Sequence, residues 1–206
     1  MKTDKWTTKW DQRYSVDEYV FGKEPNVFLT QNVNRLPTGK VLCAGDGEGR
    51  NGVWLAKQGF KVTALDYSRK GLEKALALAK EFQVEIELIQ ANILEIDLGI
   101  GRYDAIINIF LHFDGDKITH LHNQYRTALK SGGSLLSEVY SKDQLHYNSG
   151  GPKFREALYE PEYYLRDFPG WTKHYLKKEI IVLGEGSGHQ GKASVVRAIL
   201  TKPEEE

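Results

Sequence analysis

From Val41 to Ala56 the chain reads VLCAGDGEGRNGVWLA. An apolar run gives way to four glycines within eight residues, Gly45, Gly47, Gly49 and Gly52, and then resumes at helical spacing. Glycine supplies positive φ and lets another group come close to the backbone. A buried strand that breaks into such a turn and re-forms as a helix is the opening unit of an open α/β sheet. In that architecture ligands bind beyond the carboxyl ends of the strands, where the strand order reverses.

The flanking pattern agrees. Strands are predicted at 40–45, 61–66, 86–92, 103–113 and 134–140, with helices at 51–59, 69–83 (capped by Ser68) and 116–130, the last ending near Gly132 and Gly133. Strands alternating with helices make a mostly parallel sheet covered on both faces. After Tyr140 the rhythm changes. Residues 153–168 read as a helix interrupted at Pro161, and 171–185 and 192–202 as two strands joined by the short link GSGHQG at 186–191. A link that short permits only antiparallel neighbours, because a parallel pair needs a crossover of about a dozen residues. The fold class is therefore α/β, a doubly wound and mostly parallel sheet whose last strand runs against the rest.

A chain of 206 residues suits one domain with a small appendage. Residues 1–38, polar and aromatic with Trp6, Trp10, Tyr14, Tyr19, Phe21 and Phe28, are read as an N-terminal helical lid, and 39–206 as the main domain. Lys and Arg balance Asp and Glu at 28 each, without the basic excess of a dedicated nucleic-acid binder. No apolar stretch approaches a bilayer span, no signal-peptide core follows the first Met, and Cys43 is the single cysteine. The expectation is a cytoplasmic protein, a monomer or homodimer with a small-molecule substrate, without nucleic acid, membrane or metal as partner. His120 and His122 stand two apart on a helix, on different faces, and do not make a metal pair.

Asp66 ends the second strand about 20 residues after the loop, where a ribose-binding carboxylate is expected. Loop and acid together imply an adenosine-containing ligand. Residues 47–52, GEGRNG, match G-x-G-x-x-G, which by itself admits both a dinucleotide and S-adenosylmethionine. Asp46 and Glu48 oppose a pyrophosphate, since like charges about 4 Å apart repel by roughly 4 kcal/mol at an effective dielectric near 20. They suit a ligand carrying a sulfonium and an ammonium.

On these residues, and on WDQRY (10–14), EYVFGKEPNVFL (18–29), LKSGGSLL (129–136), LHYNSGGPK (145–153) and GHQGKASVVRAIL (188–200), the chain resembles the class I S-adenosylmethionine-dependent methyltransferases. Within them it is similar to the small tellurite-resistance (TehB-like) group. The resemblance implies a Rossmann-like, seven-stranded sheet of order 3-2-1-4-5-7-6 with strand seven antiparallel. It implies cofactor contacts from Gly45, Asp46, Gly47, Gly49 and Arg50, from Asp66 to the ribose and Tyr67 beside the adenine, from Ala91, Asn92 and Ile93, and from Asn108, Ile109 and Phe110 at the methionine end. Where many relatives read L-D-x-G, this chain has Leu42-Cys43-Ala44-Gly45, which leaves Asp46 or Glu48 to compensate. Asn92 stands where relatives place an acid, and an amide can still pair with adenine.

For the acceptor, His112 after strand four is the candidate base beside the transferring methyl. Arg13, Tyr14 and Tyr19 from the lid, Tyr140, His146 and Tyr147 after strand five, and Arg197 on the last strand are candidate substrate contacts. An Asn/Asp-Pro-Pro-Tyr motif does not follow strand four, which reads NIFL, so a small acceptor is favoured, with a thiol or other chalcogen nucleophile in view. Two other functions compete: an NAD-dependent oxidoreductase, and a catalytically silent protein that binds S-adenosylmethionine.

Overall fold

The computed structural model describes residues 5–204, without the side chains of Lys5 and Trp6. The Trp6 side chain of the aromatic N-terminal stretch and the last two acids of the PEEE end therefore lie outside what is described. Seven strands form one sheet: β1 (Lys40–Ala44), β2 (Lys61–Asp66), β3 (Glu87–Gln90), β4 (Tyr103–Ile109), β5 (Leu129–Tyr140), β6 (Thr172–Glu185) and β7 (His189–Thr201). Their order is β3-β2-β1-β4-β5-β7-β6. β1 to β5 pair in parallel, and β7 runs antiparallel to both of its neighbours. This is the expected seven-stranded arrangement. The order reverses between β1 and β4, so the glycine loop after β1 and the segment after β4 meet at the switch point.

Among the described residues six α-helices accompany the strands: α1 (Lys5–Tyr14), α2 (Val27–Asn32), α3 (Arg50–Lys57), α4 (Arg69–Glu81), α5 (Asp116–Ala128) and α6 (Pro161–Asp167). The strands bury alternate residues on opposite faces, as a period of two requires. Val41 and Cys43 of β1 join Val62, Ile107, Leu136 and Ile199 under Phe28, Leu29 and Leu55 of α2 and α3. Leu42 and Ala44 join Leu65, Ile106 and Leu135 under Leu121 and Tyr125 of α5, Tyr164 of α6 and Phe168 just after it. Each buried Val, Leu, Ile or Phe side chain contributes about 1.5–3 kcal/mol by leaving water. Ser68 caps α4 as expected, accepting from the Gly71 N–H. No helix among the described residues is long and apolar enough to cross a membrane.

Several boundaries differ from the sequence reading. β4 ends at Ile109, four residues short of the expected 113, because the chain turns at Phe110, whose φ is +54°. α5 ends at Ala128 and β5 begins at Leu129, five residues before the expected start at Ser134. Leu129 suits a helix by apolar spacing, but it pairs with Tyr103 across a register shift that brings Gly132 and Gly133 into the strand. Pro161 starts α6 instead of interrupting a longer helix, because its missing N–H is harmless in a first turn. His189 is the first residue of β7, paired with Glu185, not part of a loop.

Candidate active site at the glycine loop

β1 releases the chain into a loop whose glycines Gly45, Gly47 and Gly49 have φ of +66°, +59° and +87°. Two of them also need the absence of a side chain. A Cβ on Gly49 would lie 2.6 Å from Ala75 Cβ of α4, and one on Gly47 would lie 2.7 Å from the Tyr14 hydroxyl. The loop hangs on the end of β2 through the Gly45 and Asp46 N–H groups, both donating to the Leu65 carbonyl. Asp66 ties it from the other side. Its Oδ2 accepts from the Gly47 N–H and its Oδ1 from the Ser68 N–H, each at 2.8 Å. Tyr14 lies over the same place, buried, and burial together with the Asp66 and Glu48 charges pushes its hydroxyl well above the ordinary range.

The two loop carboxylates part company. Glu48 is held by Lys74 Nζ at 2.6 Å, with its side chain 3% exposed, and also faces the Phe21 N–H. Its charge is matched inside the protein, which corrects the sequence argument that enlisted both acids for a cationic ligand. Asp46 accepts from the Gly52 N–H through Oδ1, whereas its buried Oδ2 has no partner among the described residues. Burial raises the Asp46 carboxyl to about 7 and the Asp66 carboxyl to about 6.

The sign of that shift makes a prediction. Both groups hold protons more tightly folded than unfolded. Their contribution to stability is full below about pH 4 and is lost as the pH rises through 6 to 7. Asp46→Asn should flatten the fall in melting temperature between pH 4 and 8. It should raise Tm at pH 8 by roughly 2–4 °C for each kcal/mol recovered. Melting curves of the two proteins across that range check it; parallel curves would mean that Asp46 is ionised without penalty.

The remaining cofactor candidates divide by what their side chains do. Arg50 binds Glu185 Oε2 at 2.9 Å and the Glu24 carbonyl at 3.4 Å, so its guanidinium is committed to the last hairpin. Asn92 folds into its own turn, with Oδ1 accepting from the Leu94 N–H and Nδ2 donating to Glu95. Asn108 is buried between Ser137 and Tyr125, and Ile93 and Ile109 lie in the two cores, so all three side chains are committed to the protein interior. Ala91 donates its N–H to the Asp66 carbonyl and Tyr67 stands half-buried beside Asp66, which keeps both at the end of β2. Phe110 directly follows β4 with φ of +54°, a strained value for a residue with a side chain.

Phe110 turns its ring to Tyr140 at 4.6 Å and to His189 at 4.5 Å between centres, and Phe21 closes on His189 from the N-terminal segment, also at 4.5 Å. Arg13 stacks over Phe21 at 5.2 Å. His112 stacks on Tyr140, but both of its nitrogens are in use: Nδ1 meets the Ala157 carbonyl at 2.8 Å and Nε2 accepts from the Tyr140 N–H at 3.3 Å. Burial lowers its imidazole to about 4. Acting as a base would require it to give up a backbone hydrogen bond.

Of the other acceptor candidates, Tyr14 and Tyr140 belong to this region. Tyr19 instead donates to the Lys74 carbonyl on the flank of α4. His146 is exposed and Tyr147 half-buried on the turn at 142–147. Arg197 is tied to Glu138 and Glu179 inside the sheet. Sequence reasoning missed Phe21, Glu185 and Asn26. Asn26 caps α2, donates its side-chain amide to Glu138 and Glu185, and donates its backbone N–H to Asn51 Oδ1, so one residue stitches the N-terminal segment to α3, β5 and β6. The EPN segment was the visible signal, but nothing local names its distant partners. A cavity of 540 Å³ opens beside Ile100, Asn123, Arg126 and Trp171, at the opposite end of the sheet from the loop.

Residues 41–133 match the family model described as a methyltransferase domain. The chain is 28% identical over 153 residues to a putative methyltransferase of Geobacillus, covering 71% of this chain and 61% of that one. It is 41% identical over 155 residues to a ubiquinone biosynthesis O-methyltransferase of Rickettsia conorii, covering 72% of this chain and 48% of the relative. The chain thus spans about half the length of such curated relatives. In fold it is similar to TehB from Haemophilus influenzae, with a TM-score of 0.71 and 17% identity over 95% of this chain and 66% of that one.

Proposed function

Because this chain carries a class I S-adenosylmethionine-dependent methyltransferase domain, we propose that it transfers a methyl group from that cofactor to a small-molecule acceptor, a thiol or other chalcogen nucleophile. One observation carries the cofactor assignment. Asp66 is fixed at the end of β2 by two loop N–H groups, beside Asp46, whose buried Oδ2 lacks a partner. That pair fits a ligand with ribose hydroxyls on one side and positive charge on the other. A pyrophosphate would meet two carboxylates instead of bare N–H groups.

S-adenosylmethionine, when bound, supplies a methyl already activated by its sulfonium. Gly45, Gly47 and Gly49 allow close approach, Asp66 would accept from the ribose, and Asp46 would answer the positive charge. What remains for the protein is alignment and exclusion of water. Residues 1–38 serve that second task in this reading, with Tyr14 and Phe21 covering the loop and the ends of β4 and β5. The chalcogen acceptor is favoured by the aromatic lining of Phe21, Phe110 and Tyr140, which suits a soft, weakly hydrated nucleophile.

Calorimetric titration with S-adenosylhomocysteine, S-adenosylmethionine and NAD tests the cofactor. Micromolar binding of the first two with none of NAD is the expected result, and binding of NAD alone would overturn the reading. Turnover with a panel of thiols, selenite and tellurite then tests the acceptor class.

A further inference from the structure

We infer that His189, oriented by Glu185, is the base that takes the proton from the acceptor's thiol; the inference rests on the thiol reading above. Three buried or half-buried histidines compete for the role, and their geometry separates them. His112 has both nitrogens bound to backbone. His122 is 0% exposed, with Nδ1 on Asp167 at 2.7 Å, and sits among Tyr159, Tyr164 and Phe168 under α6. His189 has Nδ1 on Glu185 Oε2 at 3.0 Å, and among the described residues nothing donates to its Nε2.

The tautomer follows from the partner. Glu185 is held ionised: burial opposes this, but His189 and Arg50 bring its carboxyl down to about 2. An ionised carboxylate only accepts, so Nδ1 carries the hydrogen and Nε2 keeps a bare lone pair. A base oriented by a carboxylate on its far nitrogen is the recurring arrangement of general-base catalysis. The surroundings keep the ring neutral. Burial lowers its affinity for a proton and the Arg50 and Arg13 charges add to this, against Glu185, which raises it. His112 and Tyr140 face it from the ends of β4 and β5.

The position is also right for the reaction. Phe110, strained at the end of β4, and Tyr140, at the end of β5, both touch the His189 ring at the carboxyl edge of the sheet. In the step, the acceptor's S–H proton passes to His189 Nε2, and the thiolate sulfur forms a bond to the methyl carbon. The carbon–sulfonium bond breaks with its electron pair left on the departing thioether sulfur. His189 then returns its proton to water.

The experiment compares two thiols of different acidity. Benzyl mercaptan is protonated at pH 7 and needs a base; 4-nitrothiophenol is already ionised and does not. His189→Asn should lower kcat for benzyl mercaptan by about 10²–10⁴-fold, the usual range for a general base, and change kcat for 4-nitrothiophenol by less than about tenfold. Equal effects on both thiols would overturn the inference and leave the methyltransferase reading intact. Turnover of neither thiol by the unmodified protein would remove the thiol reading and this inference with it, while binding of S-adenosylhomocysteine would still judge the cofactor assignment. Nitrogen-15 spectra of the unloaded protein give a readout independent of turnover. At pH 7 His189 should be protonated at Nδ1 and bare at Nε2, and Glu185→Gln should mix the tautomers. A proton on Nε2 in the unmodified protein would overturn the inference.

Discussion

Replacing Arg197 by leucine should destabilise the protein by about 3–5 kcal/mol, the range for leaving a buried charge without its partner. Arg197 Nε meets Glu138 Oε2 at 2.5 Å, and the Glu138 side chain is 1% exposed. Asn26 donates to its other oxygen at 2.7 Å. Burial already raises the Glu138 carboxyl above its ordinary range even with Arg197 and Asn26 beside it. Without Arg197 it would rise further, and the chain would fold with Glu138 protonated or bury a bare charge. A raised carboxyl favours folding only below its unfolded value, so the loss should be largest near neutral pH and shrink toward pH 4. Denaturant titrations at pH 4 and 7 check the sign. The double variant Glu138→Leu with Arg197→Leu should recover much of the loss, because a buried pair exchanged for apolar residues is often neutral. A single variant as stable as the parent at pH 7 would show that Glu138 reaches water.

That pair also marks where the sequence stops being legible. The sheet could be read strand by strand because β1, β2 and β4 are short, mostly apolar and largely buried runs, a local signal. The glycine loop and Asp66 were legible for the same reason, being fixed by spacing along about 25 residues. The start of β5 was not, since Leu129 satisfies helix and strand alike and only Tyr103 opposite decides. Nor was the division between Asp46 and Glu48, because Lys74 lies on another helix, 26 residues away. Arg197 was named as a candidate substrate contact on the last strand, and nothing local showed that β7 pairs it directly with Glu138 of β5. His189 was read into the GSGHQG link, which looks like a loop, whereas it opens β7 and pairs with Glu185 across the hairpin. Cross-strand partners set these positions, and no local pattern carries that information.

Removing the Asp66 carboxylate should weaken S-adenosylhomocysteine binding by about 10- to 100-fold, from the roughly 1.5–3 kcal/mol of a hydrogen bond to a charged group. Asp66→Ala alone would confound two effects, because Oδ1 and Oδ2 also hold the Ser68 and Gly47 N–H groups that shape the loop. A cycle with two ligands separates them. 5′-Methylthioadenosine and its 2′-deoxy counterpart differ by one ribose hydroxyl and load the loop equally. The parent protein should prefer the hydroxylated ligand, and the variant should lose that preference, whatever the loop has done. If the preference survives in Asp66→Ala, the carboxylate acts through the loop and something else holds the ribose. Acidity gives a second check. With burial raising the Asp66 carboxyl to about 6, the parent protein should lose affinity as the pH falls through 6, when the acceptor gains a proton and its hydrogen bonds lose their charge assistance. In the variant that dependence should flatten, leaving only what Asp46 contributes near 7.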